Sequence, residues 1–178
     1  MPRLFTGLEI PPEIGEALSR LRGGLPGARW IDPENYHVTL RFIGDVDEAV
    51  AADIYAALEE AQARPALPIA IDGLASFGGD RPHAVFAAVT PSAALSELHA
   101  EHEAMARRVG LPPDKRKFHP HVTLARLRQV SAPDVADFLG LHGGAPKLAF
   151  MARRVALYSA RESTGGGPYV VEAAYPLG

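Results

Sequence analysis

The chain has 178 residues, a formal net charge of −3 and no cysteine, with a pI near 6.2. That length suits one domain with a proper core, or two small lobes that share a cleft. The charge supplies no global basic field for nucleic acid, and the missing thiols exclude disulfides, thiolate metal sites and cysteine nucleophiles.

The first expected strand is Leu4 to Ile10, closed by Pro11-Pro12. Ile14, Leu18 and Leu21 then fall at helical spacing, and Gly23-Gly24 end that helix. Tyr36 to Ile43 is the next strand, with Gly44-Asp45 as its exit turn. Val50, Ile54 and Leu58 mark the apolar stripe of a helix from about Asp47 to Ala63. Leu67 to Ile71 and Ala84 to Val89 read as strands, with Phe77 to Asp80 in the turn between them. Leu95, Leu98, Met105 and Val109 place a third helix between Pro91 and Gly110. His121 to Leu127 is a strand and Pro133 to Leu139 a short helix. Leu148 to Ser159 and Tyr169 to Tyr175 close the chain as two strands around a glycine loop, Gly165 to Gly167. Apolar runs are too short for a membrane-spanning helix, and Met1 to Phe5 lacks a hydrophobic signal core. A cytoplasmic protein with no membrane partner is therefore expected.

One tetrapeptide, His-Val-Thr-Leu, occurs twice, at His37 to Leu40 and at His121 to Leu124. Side chains alternate along a strand, so each copy shows an imidazole and a hydroxyl on one face and two apolar groups on the other. Each copy follows one helix and precedes another. This points to two related α+β lobes with a pseudo-two-fold and a cleft between them. Mostly antiparallel sheets with helices on the outer faces suit the element order, and pattern alone leaves parallel pairing open.

Two imidazoles facing each other can act as general base and general acid at neutral pH. Two threonine hydroxyls can hold phosphoryl oxygens between them, and such positioning carries much of phosphoryl-transfer catalysis. A single His-x-Thr in a strand means little; two identical copies in strands are hard to obtain by accident. Local charge favours an anionic substrate. From Arg107 to Arg128 seven basic residues stand against Asp114 alone. Arg41 shares the parity of His37 and Thr39, so it is expected at the cleft rim. Arg126 has the opposite parity to His121 and faces away unless a bulge redirects it. His119 is expected in the entry loop. His83, His99, His102 and His142 lack partner spacing, although His99 and His102 lie three apart on a helix, where a metal could bind. Trp30, Tyr36, Phe42 and Phe118 lie near the motifs, where one could stack on a base, although core packing is the commoner fate.

The stretches Arg29 to Asp45 and Phe118 to Arg126, with Arg3 to Leu8 and Leu157-Tyr158-Ser159, closely resemble the two-histidine (2H) phosphoesterases. Within them the chain is most similar to the RNA 2′,3′-cyclic phosphodiesterases, also called 2′-5′ RNA ligases. The resemblance covers essentially the whole chain, 1–178. It implies one bilobal α+β (LigT-like) domain with two pseudo-symmetric, mostly antiparallel sheets and the active site between them. It implies hydrolysis of RNA 2′,3′-cyclic phosphate ends, tRNA fragments among them, to 2′-phosphomonoesters. His37 would be the proton donor and His121 the proton acceptor. Thr39 and Thr123 would bind the phosphate. Arg41 and Arg126, beside the motifs, are expected as further substrate contacts on the local charge rather than on the resemblance. No metal, no cofactor and no obligate protein partner are implied, and a monomer is expected. The family also runs a reverse 2′-5′ joining. Other readings are a phosphodiesterase for a small cyclic phosphate or 2′-5′ oligonucleotide, a non-catalytic RNA-end binding module, and a histidine metallohydrolase.

Overall fold

In the computed structural model, residues 3–61, 63–160 and 167–178 are described. Seven segments with strand periodicity and two that sequence reading misses or merges build two sheets. The four-stranded sheet has the order β3 (His37–Asp45), β1 (Arg3–Glu9), β8 (Arg154–Ala160), β9 (Tyr169–Pro176). The five-stranded sheet has the order β2 (Ala28–Trp30), β6 (His121–Leu127), β5 (Ala84–Val89), β4 (Leu67–Phe77), β7 (Lys147–Ala152). Every pairing is antiparallel, which closes the question the pattern left open.

Among the described residues four α-helices accompany the strands. Pro12 opens α1 (Pro12–Ser19), where its missing N–H costs nothing. The side chain of Asp47 caps α2 (Glu48–Glu59), Ser92 caps α3 (Ala93–Arg108) and Ser131 caps α4 (Ala132–His142), each accepting a backbone N–H three residues on. α2 and α3 bury Ala51, Ile54, Leu58 and Met105 against Leu4 and Leu157 of the four-stranded sheet. α4 buries Val135 and Phe138 against Val85, Ala125 and Leu127 of the five-stranded sheet. The helices thus cover the outer faces.

The two motif strands converge in the middle. Val38, Leu40, Val122 and Leu124 all belong to one buried cluster, with Leu8, Ile14, Leu18, Leu95 and Leu98. The apolar half of each repeat therefore anchors both sheets to one core, and the polar half of each is left to face a shared opening.

Several expectations differ from the structure. β4 runs on past Ile71 to Phe77, a residue expected in the turn, and the second helix ends at Glu59 rather than near Ala63. The run from Leu148 to Ser159 is two strands, β7 and β8, in different sheets, because the chain leaves strand geometry at Arg153. The first helix stops at Ser19 and does not reach Gly23. Of the expected glycine loop, Gly165 and Gly166 lie outside the described residues.

Candidate active site

A cavity of about 310 Å³ lies between the sheets, and His37, Thr39, His121 and Thr123 all line it. The four-stranded sheet supplies the first pair and the five-stranded sheet the second. The alternation of strand side chains and the shared apolar core account for this placement.

Each histidine is held the same way. His37 Nδ1 donates to the Asn35 carbonyl at 2.9 Å, and His121 Nδ1 donates to the His119 carbonyl at 2.6 Å. Both bonds run to the residue two positions earlier. A carbonyl can only accept, so the proton of each neutral ring sits on Nδ1, and Nε2 is the nitrogen left for chemistry. The Thr39 hydroxyl donates to His37 Nε2 at 2.9 Å. Asn35 also reaches the neighbouring strand, where its Oδ1 accepts the Tyr169 N–H at 3.2 Å. This fixes the start of β9 beside the site.

Aromatic walls set the acidity of the rings. His37 lies 4.8 Å from the Phe5 ring, 5.5 Å from Tyr158 and 5.2 Å from Tyr169. That burial pushes the His37 pKa down to about 4, with the His121 and Arg126 charges adding to the effect against the Asn35 hydrogen bond. His121 packs against Phe77 and Phe86 at 4.9 and 5.2 Å. Its pKa is also lowered, first by burial and then by the charges of His119 and Arg126. Both rings are therefore neutral at pH 7 in the free protein.

The arginines are where parity reasoning fails, and a pair of bulges explains it. Along β1 and β3, Gly7 opposes Thr39 and Thr6 opposes Arg41, so Leu40 has no partner of its own. Along β5 and β6, Phe86 opposes Thr123 and Val85 opposes Ala125, so Leu124 has none. Each His-Val-Thr-Leu thus ends in the same one-residue bulge, which flips the side chains that follow to the other face. Arg41, expected at the cleft rim, turns inward instead. It is 6% exposed and pairs with Glu103 at 2.7 Å, and it donates to the carbonyls of Phe42 and Pro112. Arg41 is not among the cavity-lining residues. Its neighbour Phe42 lines the cavity in its place, 41% exposed. In the second repeat the same flip brings Arg126 into the cavity lining.

Sequence reasoning does not single out Arg3, Asn35 or Tyr169 as site residues, yet all three line the cavity. The available signal is the parity of Arg3 with Phe5 in the first strand. The other histidines go elsewhere. His119 flanks His121 with ring centroids 6.2 Å apart. His102 is buried, with Nδ1 2.8 Å from the Thr6 hydroxyl. His99 stacks on Phe118 at 4.0 Å. Among the described residues no three His, Cys, Asp or Glu side chains converge as a metal-binding group. Among them, too, no helix is long and apolar enough to cross a membrane.

The fold and the two-histidine cleft place the chain in a recognisable structural class. Its structure is similar to that of E. coli LigT solved in complex with 3′-AMP, with a TM-score of 0.78, 23% identity and 99% of each chain covered. Two curated relatives are RNA 2′,3′-cyclic phosphodiesterases. The one from Geobacillus stearothermophilus is 34% identical over 72% of this chain, and the one from Aeropyrum pernix 40% identical over 62%. The matched segments span 43% and 66% of those two relatives, so less than two thirds of either. The family profile of the 2′-5′ RNA ligase superfamily matches residues 10–164. This chain belongs to that superfamily.

Proposed function

We propose that this chain is an RNA 2′,3′-cyclic phosphodiesterase that opens the terminal cyclic phosphate to a 2′-phosphomonoester, with no metal in the chemical step. The observation that carries this is the pair of imidazole–hydroxyl units lining one cavity from opposite sheets. The similarity to RNA 2′,3′-cyclic phosphodiesterases supports the substrate.

His121 Nε2 takes a proton from water as the water oxygen bonds to phosphorus. The bond from phosphorus to the 3′ oxygen breaks, and His37 Nε2 delivers a proton to that oxygen. The two threonine hydroxyls hold non-bridging oxygens while charge builds on them. His37 must be protonated for this, although burial favours the neutral ring. The phosphate monoanion supplies the missing stabilisation when it binds. When the 5′-hydroxyl of a second strand takes the place of water, its oxygen bonds to phosphorus. The bond from phosphorus to the 3′ oxygen breaks as before, with a proton delivered to that oxygen, and the two ends are joined through a 2′-5′ linkage. Since each sheet supplies one half of the site, the two lobes work as one unit. The exposed Phe42 ring at the rim offers a stacking face for the terminal base.

The test is a pair of variants. His37→Ala and His121→Ala should each slow turnover of a cyclic-phosphate-ended RNA by at least about 10²-fold while keeping the melting temperature of the parent. Full activity in either variant ends the proposal.

A further inference from the structure

The cavity holds more positive charge than a cyclic phosphate needs. That diester carries a single negative charge, which one imidazolium can balance during turnover. Two guanidinium groups remain, Arg126 from the five-stranded sheet and Arg3 from the four-stranded sheet, and both line the same cavity.

The two arginines are not equivalent. Arg126 lies three residues beyond Thr123 on the same strand, and its charge bears on both imidazoles. It therefore sits with the terminal phosphate. Arg3 opposes Asp45, at the far end of β3 from His37, so it stands further out. Its Nε is buried and has no hydrogen-bond partner. The carboxylate of Asp45 lies 3.9 Å away, beyond hydrogen-bond reach, and the Phe42 ring is 5.9 Å from the guanidinium carbon. The exposed part of the guanidinium, on a side chain 41% exposed, offers a phosphodiester the forked donor geometry that suits phosphate oxygens.

We propose that Arg3 forms a second anion subsite at the cavity rim, which takes the internucleotide phosphodiester directly 5′ of the cyclic end. This rests on the activity proposed above and narrows its substrate to chains of two or more nucleotides. The Phe42 ring beside Arg3 then faces the terminal base, between the two phosphates it connects.

The experiment compares a nucleoside 2′,3′-cyclic phosphate with a dinucleotide ending in the same cyclic nucleotide, in the parent, Arg3→Gln and Arg3→Lys. The ratio of kcat/KM for dinucleotide over mononucleoside should fall at least fivefold in Arg3→Gln, through KM, and recover in large part in Arg3→Lys. The salt dependence of dinucleotide binding should weaken by about 0.7 in logarithmic slope, the share of one phosphate contact on a single strand. A ratio that falls less than fivefold overturns the subsite. A second arm measures binding alone, using the dinucleotide and mononucleoside 2′-monophosphates. If the parent turns over neither cyclic substrate, the activity proposal fails. The binding arm still decides the subsite: a selective loss of dinucleotide affinity in Arg3→Gln supports it, and an equal loss for both ligands, or none, overturns it.

Discussion

The acidity of His37 gives the sharpest quantitative prediction. Burial against Phe5, Tyr158 and Tyr169, with the charges of His121 and Arg126, sets its pKa at about 4 in the free protein. Relative to an ordinary imidazole near 6.5, that is about 3.4 kcal/mol against the charged ring. A cyclic phosphate monoanion about 4 Å away, at an effective dielectric constant near 20, returns about 4 kcal/mol. That is about three pH units, so the bound complex should titrate near pH 7. Because the ligand favours imidazolium, binding tightens as pH falls below about 7 and is accompanied by proton uptake. His121→Ala keeps His37 and blocks turnover, so a nucleoside 2′,3′-cyclic phosphate can be held in place while the His37 ring is titrated by NMR. The cyclic diester has no proton of its own to exchange near neutral pH. A rise of two to three units on binding is expected. A change of less than half a unit would mean that the phosphate does not sit against His37, and the acid role would go with it.

Three further outcomes follow from the same structure. Arg41→Met should leave Glu103 partly buried without its partner and cost about 3 kcal/mol in denaturant unfolding. KM for a cyclic mononucleotide should change less than about threefold at a temperature where the variant is folded, since Arg41 does not line the cavity. A tenfold rise in KM would restore it as a substrate contact. The buried His102 has its pKa pushed down to about 4, chiefly by burial and then by the charges of His99 and Arg64. Its neutral form is the folded one, so its contribution is intact above pH 6.5 and is lost as pH falls toward 4, by about 2.5 kcal/mol at pH 4.5. His102→Gln should flatten the stability curve by that amount in urea titrations, and parallel curves would refute the assignment. Activity should persist in excess EDTA, because the proposed proton transfers use imidazoles alone; complete loss on chelation would favour a metal-assisted hydrolysis.

The site is legible in the sequence through one repeated tetrapeptide, whose period-2 chemistry divides cleft from core without knowledge of the fold. His37, Thr39, His121 and Thr123 occupy the same cavity for that reason. What stays hidden depends on pairing. The bulges at Leu40 and Leu124 exist only relative to β1 and β5, and no local pattern marks them. They withdraw Arg41 and expose Phe42 in one repeat, and they turn Arg126 inward to the cavity in the other. The three residues of β2 are too few to show periodicity. The break at Arg153 divides the stretch from Leu148 to Ser159 between two sheets, a tertiary choice that strand propensity does not encode. Arg3 has the local pattern of a surface charge at a strand end; only the assembled sheets bring it to the cavity.

One incubation bears most directly on the reaction itself. An oligoribonucleotide ending in a 2′,3′-cyclic phosphate is mixed with the pure protein, and the phosphate position of the product is read by NMR or by digestion with isomer-specific nucleases. Protonation of the departing 3′ oxygen by His37 requires a 2′-phosphomonoester and no 3′ isomer. A 3′-phosphate product, or an untouched cyclic end, would contradict the two-imidazole mechanism.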